Sequence, residues 1–248
     1  MERLLNDLVE KLKSAAGHNL QSVVLYGAPA VDAAVPARHA DLNVLCLLER
    51  AGAAELAALS PAVVWWVRHG APAPQIFTLP ELERSADVFA IELLDMKRHH
   101  RILFGNDFLS ALHVPMHLHR LQVERDLRTN WLRLRQGVLL ARGNEKVLAD
   151  LMTASVLRFA LLFRHALIAF GETPPDRREE TVHRIAEVAG APATEFSAVL
   201  ALRAEKSARG SLNIPATLAG YLSFIERVTD EVDRRLESQS RPPDLLSD

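Results

Sequence analysis

Leu4, Leu5, Leu8, Val9 and Leu12 recur at three- and four-residue spacing with charges between them, which predicts an amphipathic helix over residues 1–16 stopped at Gly17. The pattern then tightens. Ser22-Val-Val-Leu-Tyr26 is a short apolar run ended by Gly27 and reads as a buried strand. Residues 28–40 hold Pro29 and Pro36 and predict a turn with a short helix. Asp41 to Leu48 exposes little polar surface, as a central strand does. Ala53 to Leu59 favours helix. Ala62 to Arg68 predicts a third strand, with Trp65 and Trp66 on opposite faces. Pro74 to Thr78 predicts a short strand. Asp87 to Leu94 predicts another, built on Val88, Phe89, Ile91 and Leu93.

After about residue 114 the period changes to that of helices. Met116 to Arg142 carries an apolar stripe at Leu127, Trp131, Leu134 and Val138. Glu145 to Phe170 is apolar nearly all round, as for the central helix of a bundle. Residues 171–175 break it. Arg178 to Val188, Thr194 to Lys206 and Pro215 to Leu236 predict three more helices. The organisation expected is an α/β domain over 1–112, a helical bundle over 113–240 and a frayed tail over 241–248.

Composition narrows the class. The chain has 248 residues, a formal net charge of -2, one cysteine and 49% hydrophobic residues. A lone Cys46 excludes an intramolecular disulfide framework. The most apolar long stretch, residues 147–170, is interrupted by Asp150, Arg158 and Arg164, so no membrane partner is expected. The first residues lack a signal-peptide core, and a cytoplasmic protein is expected. The balanced charge argues against a nucleic-acid partner. His113 and His117 share helical spacing, but Pro115 lies between them and no further ligand completes a zinc set. The cluster Arg120, Arg125, Arg128, Arg133, Arg135 and Arg142 reads as a solvated helix face.

The informative stretch is Ser22-Val-Val-Leu-Tyr-Gly-Ala-Pro-Ala30, followed by Arg38-His-Ala-Asp-Leu-Asn-Val-Leu-Cys-Leu-Leu48. It resembles the nucleotidyltransferase superfamily with the DNA polymerase beta-like fold. The resemblance is closest to the branch of minimal nucleotidyltransferases and aminoglycoside adenylyltransferases. That signature is Gly-Ser at a strand end, then acidic-x-acidic on the next strand. Residues i and i+2 on a strand point to one face, so two such carboxylates converge on Mg²⁺. A third carboxylate from a neighbouring strand completes the site.

The resemblance implies an α+β chain: a small mixed β-sheet nucleotidyltransferase-like domain, then an all-α bundle. It implies transfer of a nucleoside monophosphate from a Mg²⁺-nucleotide to a small-molecule or protein hydroxyl, with the acceptor expected between the domains. Gly27 and Ala28 would cradle phosphates, Asp41 would bind metal, and Asn43 would be a weak ligand beside the nucleotide. Glu92 would be third ligand or base, with Asp95 as its alternative. Partners would be a nucleotide, an unidentified acceptor and a second copy through the helical half.

The chain departs from the signature at two places. Ala28 stands where the family has Ser, and Pro29 removes a backbone donor. Asn43 stands where it has the second carboxylate, and phosphoryl transfer depends on positioning and charge. A second expectation is therefore a catalytically inactive nucleotide-binding or interaction module. A third rests on Arg158 and His165, seven apart on the second bundle helix, which resemble the Arg–His signature of HEPN ribonucleases.

Overall fold

The computed structural model describes residues 1–31, 39–204 and 212–240. The expected tail over 241–248 lies outside them, as does most of the segment that follows Pro29. Two compact units divide the chain, Met1–Pro115 and Met116–Asp248.

In the first unit, α1 (Glu2–Ala16) leads into strand β1 (Leu20–Tyr26), and the four-residue helix α2 (Ala28–Val31) follows Gly27. A 3-10 turn, His39–Asp41, precedes β2 (Asn43–Leu48). Then come α3 (Ala53–Arg68), β3 (Gln75–Thr78), α4 (Leu79–Ser85), α5 (Ala90–Arg98) and β4 (His100–Gly105). The sheet order is β3-β2-β1-β4. β1 is antiparallel to both β2 and β4, while β3 runs parallel to β2. The sheet is therefore mixed, and the fold is α+β.

Alternation along the strands fills two cores. Val23, Leu25, Val44, Cys46 and Leu48 bury one face against Leu5, Leu8 and Leu12 of α1 and Leu59, Ala62 and Trp66 of α3. Val24, Leu45 and Leu47 bury the other against Leu82, Ala90, Leu93 and Met96 of α4 and α5. Each pocket of apolar side chains contributes roughly 25 cal/mol per Å² removed from water. Burial also pushes the Cys46 thiol up to about 12, so it is an inert core residue.

Three expectations are corrected here. The strand predicted over Ala62–Arg68 is the second half of α3. Its buried positions Leu59, Ala62 and Trp66 step by three and four, a helical period that the adjacent Val63 and Val64 hide. Trp66 is fully buried with its indole N–H donating to the Pro72 carbonyl at 2.8 Å, while Trp65 lies under the Lys11 ammonium. The strand predicted over Asp87–Leu94 is helix α5, whose buried residues Ala90, Ile91, Leu93 and Met96 again keep helical spacing. The strand predicted to open at Asp41 opens at Asn43, because Asp41 closes the 3-10 turn. Strand β4 was not expected: its half-buried, His- and Arg-led sequence shows no clean alternation.

In the second unit, α6 (Met116–Ala141), α7 (Glu145–Ala169), α8 (Arg178–Ala189), α9 (Thr194–Ala204) and α10 (Ile214–Ser240) pack as a bundle. α7 touches each of the other four, as its all-round apolarity predicts. Asn144 caps its start, its Oδ1 accepting from the Val147 N–H. The heart of the bundle is aromatic: Phe196 stacks on Tyr221 at 5.1 Å, and Phe163 meets Phe224 edge-on at 5.6 Å. No helix among the described residues is long and apolar enough to cross a membrane.

Candidate functional site

β1 ends where Gly27 turns the chain at φ 85°, a left-handed conformation that glycine adopts without strain. Its N–H donates to the His99 carbonyl at 2.9 Å, tying the turn to the end of α5. Its carbonyl accepts from the Ala30 N–H at 3.0 Å, which starts α2. Pro29 has no N–H. With the Gly27 N–H committed and Pro29 lacking one, two of the turn's first three residues have no backbone N–H to offer a phosphate.

Asn43 opens β2 directly beside this turn. It pairs with Tyr26 across the sheet, and its Nδ2 lies 3.8 Å from where a side chain on Gly27 would begin. That Nδ2 donates to the Asp41 carbonyl at 3.1 Å. The 3-10 turn carrying Asp41 is held in place by His39, whose Nδ1 meets the His69 carbonyl at 2.7 Å. Gly27, Asp41 and Asn43 are thus brought together at one sheet end.

Glu92 and Asp95 are not on a strand. Both lie on α5, with Glu92 in its first turn and roughly 10 Å of helix axis before His99. The strand geometry that would aim Glu92 at Asp41 is absent. Both acids have interaction partners of their own.

Sequence reasoning missed His100 and Gln75, which the strand register brings to the same sheet end. His100 pairs with Tyr26 on β4. Its Nδ1 faces the Lys97 carbonyl at 3.1 Å and its Nε2 the Asp107 carboxylate at 3.2 Å. Burial opposes ionisation of Asp107, but hydrogen bonds from Ser110 and His100 hold its pKa below the usual carboxylate range. Gln75 pairs with Leu45 on β3. The signal that could have found His100 was the strand it begins. For Gln75 it was the parallel pairing, which no local pattern shows.

A two-metal centre requires converging carboxylate oxygens. Among the described residues, no group of three or more His, Cys, Asp or Glu side chains could hold a metal ion. One carboxylate at Asp41 and an amide at Asn43 do not fit a Mg²⁺ pair.

A cavity of about 730 Å³ lies elsewhere in this unit, lined by Leu79, Arg84, Phe108 and Leu112 among others. Leu79 follows Thr78, which pairs with Leu48 at the far end of β2 from Asn43. The cavity is therefore not the Gly27 site.

In the helical unit, Arg158 donates to Asp126 of α6 at 2.6 Å. His165 is fully buried, with its Nδ1 2.9 Å from Nε2 of the equally buried His119. These packing roles give the ribonuclease reading no support.

No family model matches the chain, and no curated protein matches it in sequence. Among solved structures it is similar to the spectinomycin adenyltransferase AAD(9) from Enterococcus faecialis, determined with ATP and spectinomycin. The TM-score is 0.55 at 12% identity, covering 91% of this chain and 99% of that one. The chain has an adenylyltransferase-like nucleotidyltransferase fold. The likeness spans both units, so the bundle is part of it.

Proposed function

We propose that this nucleotidyltransferase-fold protein binds a nucleotide at the Gly27 end of its sheet and a small molecule as acceptor. The observation that supports this is the joining of Gly27, Asp41 and Asn43 at one sheet end, within a fold shared with an ATP-binding adenylyltransferase. In the active form of this reading, an acceptor hydroxyl attacks the α-phosphorus of the nucleotide. The bond to the β-phosphate breaks, pyrophosphate leaves, and the hydroxyl proton passes to Asp41, the carboxylate brought to this sheet end beside Asn43.

A second reading is favoured by a specific observation. Asn43 supplies no charge, and the described residues offer no three-acid cluster. On this reading the fold binds its nucleotide without transferring it.

One experiment separates the two. The protein is incubated with ATP, Mg²⁺ and spectinomycin or other hydroxyl-bearing small molecules, and nucleotidyl adducts are sought by mass spectrometry. Adducts that disappear in Asp41→Ala support transfer. ATP binding by calorimetry with no adduct supports the binding module. Absence of ATP binding under every condition removes both readings.

A further inference from the structure

Four residues occupy one end of one sheet face. Antiparallel register sets Asn43 opposite Tyr26, and Tyr26 opposite His100. Parallel register sets Gln75 beside Leu45, two residues along β2 from Asn43. The cores confirm that these side chains share a face. Val24, Leu45 and Leu47 lie in one cluster, with Tyr26, Phe77 and Ile102 packed against it. Val23 and Cys46 lie in the other, with Ile76 against it. Gln75 and Asn43 are therefore diagonal neighbours on one face of the sheet. Across β3-β2-β1-β4 the row reads Gln75, Asn43, Tyr26, His100, and it contains no carboxylate.

The neighbouring acids are occupied. Asp107 receives the Ser110 hydroxyl at 2.6 Å and the Ser110 N–H at 3.0 Å as well as His100. Asp41 sits outside the strand, and Glu92 and Asp95 lie on α5; all three have partners of their own.

The row itself is rich in donors. A carboxamide brings two N–H bonds. One of Asn43's is spent on the Asp41 carbonyl, and the exposed Gln75 makes no side-chain hydrogen bond among the described residues. Burial raises the pKa of Tyr26, so its hydroxyl stays protonated and able to donate. A row of carboxylates repels a polyphosphate unless a cation stands between them. A row of amides carries no charge to repel it, attracts a cation far less than carboxylates do and can donate to phosphate oxygens directly.

We propose that this row takes the nucleotide as its metal-free polyphosphate anion, with Asn43 and Gln75 donating where a metal-bridged site would use carboxylates. This rests on the reading that a nucleotide binds at the Gly27 end.

Calorimetric titration with ATP, in EDTA and in excess Mg²⁺, tests it. Wild-type protein binds at least as tightly in EDTA as in Mg²⁺. The double variant Asn43→Asp with Gln75→Glu loses at least tenfold affinity in EDTA and recovers with Mg²⁺. Gln75→Met, on an exposed residue, lowers affinity in EDTA and keeps the test open if the double variant does not fold. Wild-type binding that is abolished by EDTA and restored by Mg²⁺ overturns the proposal while leaving the nucleotide reading intact. So does a folded double variant that binds as well as wild type in EDTA. No binding in either buffer removes the nucleotide reading, and this proposal with it.

Discussion

The centre of the bundle and the Gly27 end of the sheet use their residues in opposite ways. Phe159, Phe163, Phe196, Tyr221 and Phe224 are almost wholly buried and touch one another. The one polar tip among them, the Tyr221 hydroxyl, is paired with Ser155 at 2.9 Å. At the sheet end the side chains are amides, a phenol and an imidazole, half-exposed or exposed. The first region answers to packing alone, so its residue types are fixed by shape. The second keeps polar groups that packing does not need. The difference teaches where to look for chemistry: polar side chains on a strand face that the apolar core leaves unfilled.

The largest test of that contrast is Phe163→Ala. Removing a ring with contacts to Phe159, Phe196 and Phe224 is expected to cost about 3–5 kcal/mol in chemical denaturation. A loss under about 1 kcal/mol would mean that the aromatic cluster does not hold the bundle together.

Gly105→Ala comes next and probes the sheet. A Cβ there would stand 2.0 Å from the Gln21 carbonyl oxygen, and the residue sits at φ 78°. Backbone strain alone is expected to cost about 1–3 kcal/mol. An unchanged melting temperature would show that β4 is free to slide against β1, which would undo the Tyr26–His100 pairing.

Ser22→Ala is expected to cost about 1 kcal/mol. Its buried hydroxyl lies 2.8 Å from the Asn106 carbonyl and 3.2 Å from that of Phe104. A neutral substitution would mean that this polar contact, unlike the amide row, is incidental.

The smallest effect is a pH dependence in the bundle. Hydrogen bonding from Arg234 lowers the Glu231 pKa; burial opposes this, and Arg235 adds to it. A folded pKa below the unfolded value of about 4.3 gives stability that is fully present above that value. It is lost as pH falls through the folded pKa. Glu231→Gln is expected to flatten the acid limb of the stability curve and to cost under about 1 kcal/mol at neutral pH. An acid limb as steep as wild type would place the responsible carboxylates elsewhere, with Asp107 as the next to test.

Much of this molecule was legible in its chain. The five bundle helices, the Gly17 stop and strands β1, β2 and β3 follow from spacing, because a helix with one apolar stripe and a strand buried on both faces leave distinct periods. Helices α3 and α5 misled because Val63-Val64 and Val88-Phe89 imitate strands locally. Their true period shows only when Leu59, Ala62 and Trp66, or Ala90, Leu93 and Met96, are seen to share a buried side. The Gly27–Asn43 end of the site was readable as strand, glycine, loop and strand. Glu92 was expected on a strand, and the structure has it on helix α5. His100 was hidden because the strand it begins shows no clean alternation, and Gln75 could not be found, since it reaches this sheet end only through pairing with a strand distant in sequence.

The sequence by itself determined that the chain has an α/β half and a helical half, that Gly27 ends a buried strand, and that an uncharged residue, Asn43, stands near the start of the next one. These are local properties of backbone preference and residue identity. Only the tertiary structure decided which strands are neighbours, and therefore that Gln75 and His100 flank Asn43 and Tyr26 on one face. Strand order and register are set by long-range burial, in which apolar side chains from residues as far apart as Leu8, Val23 and Trp66 must share one core.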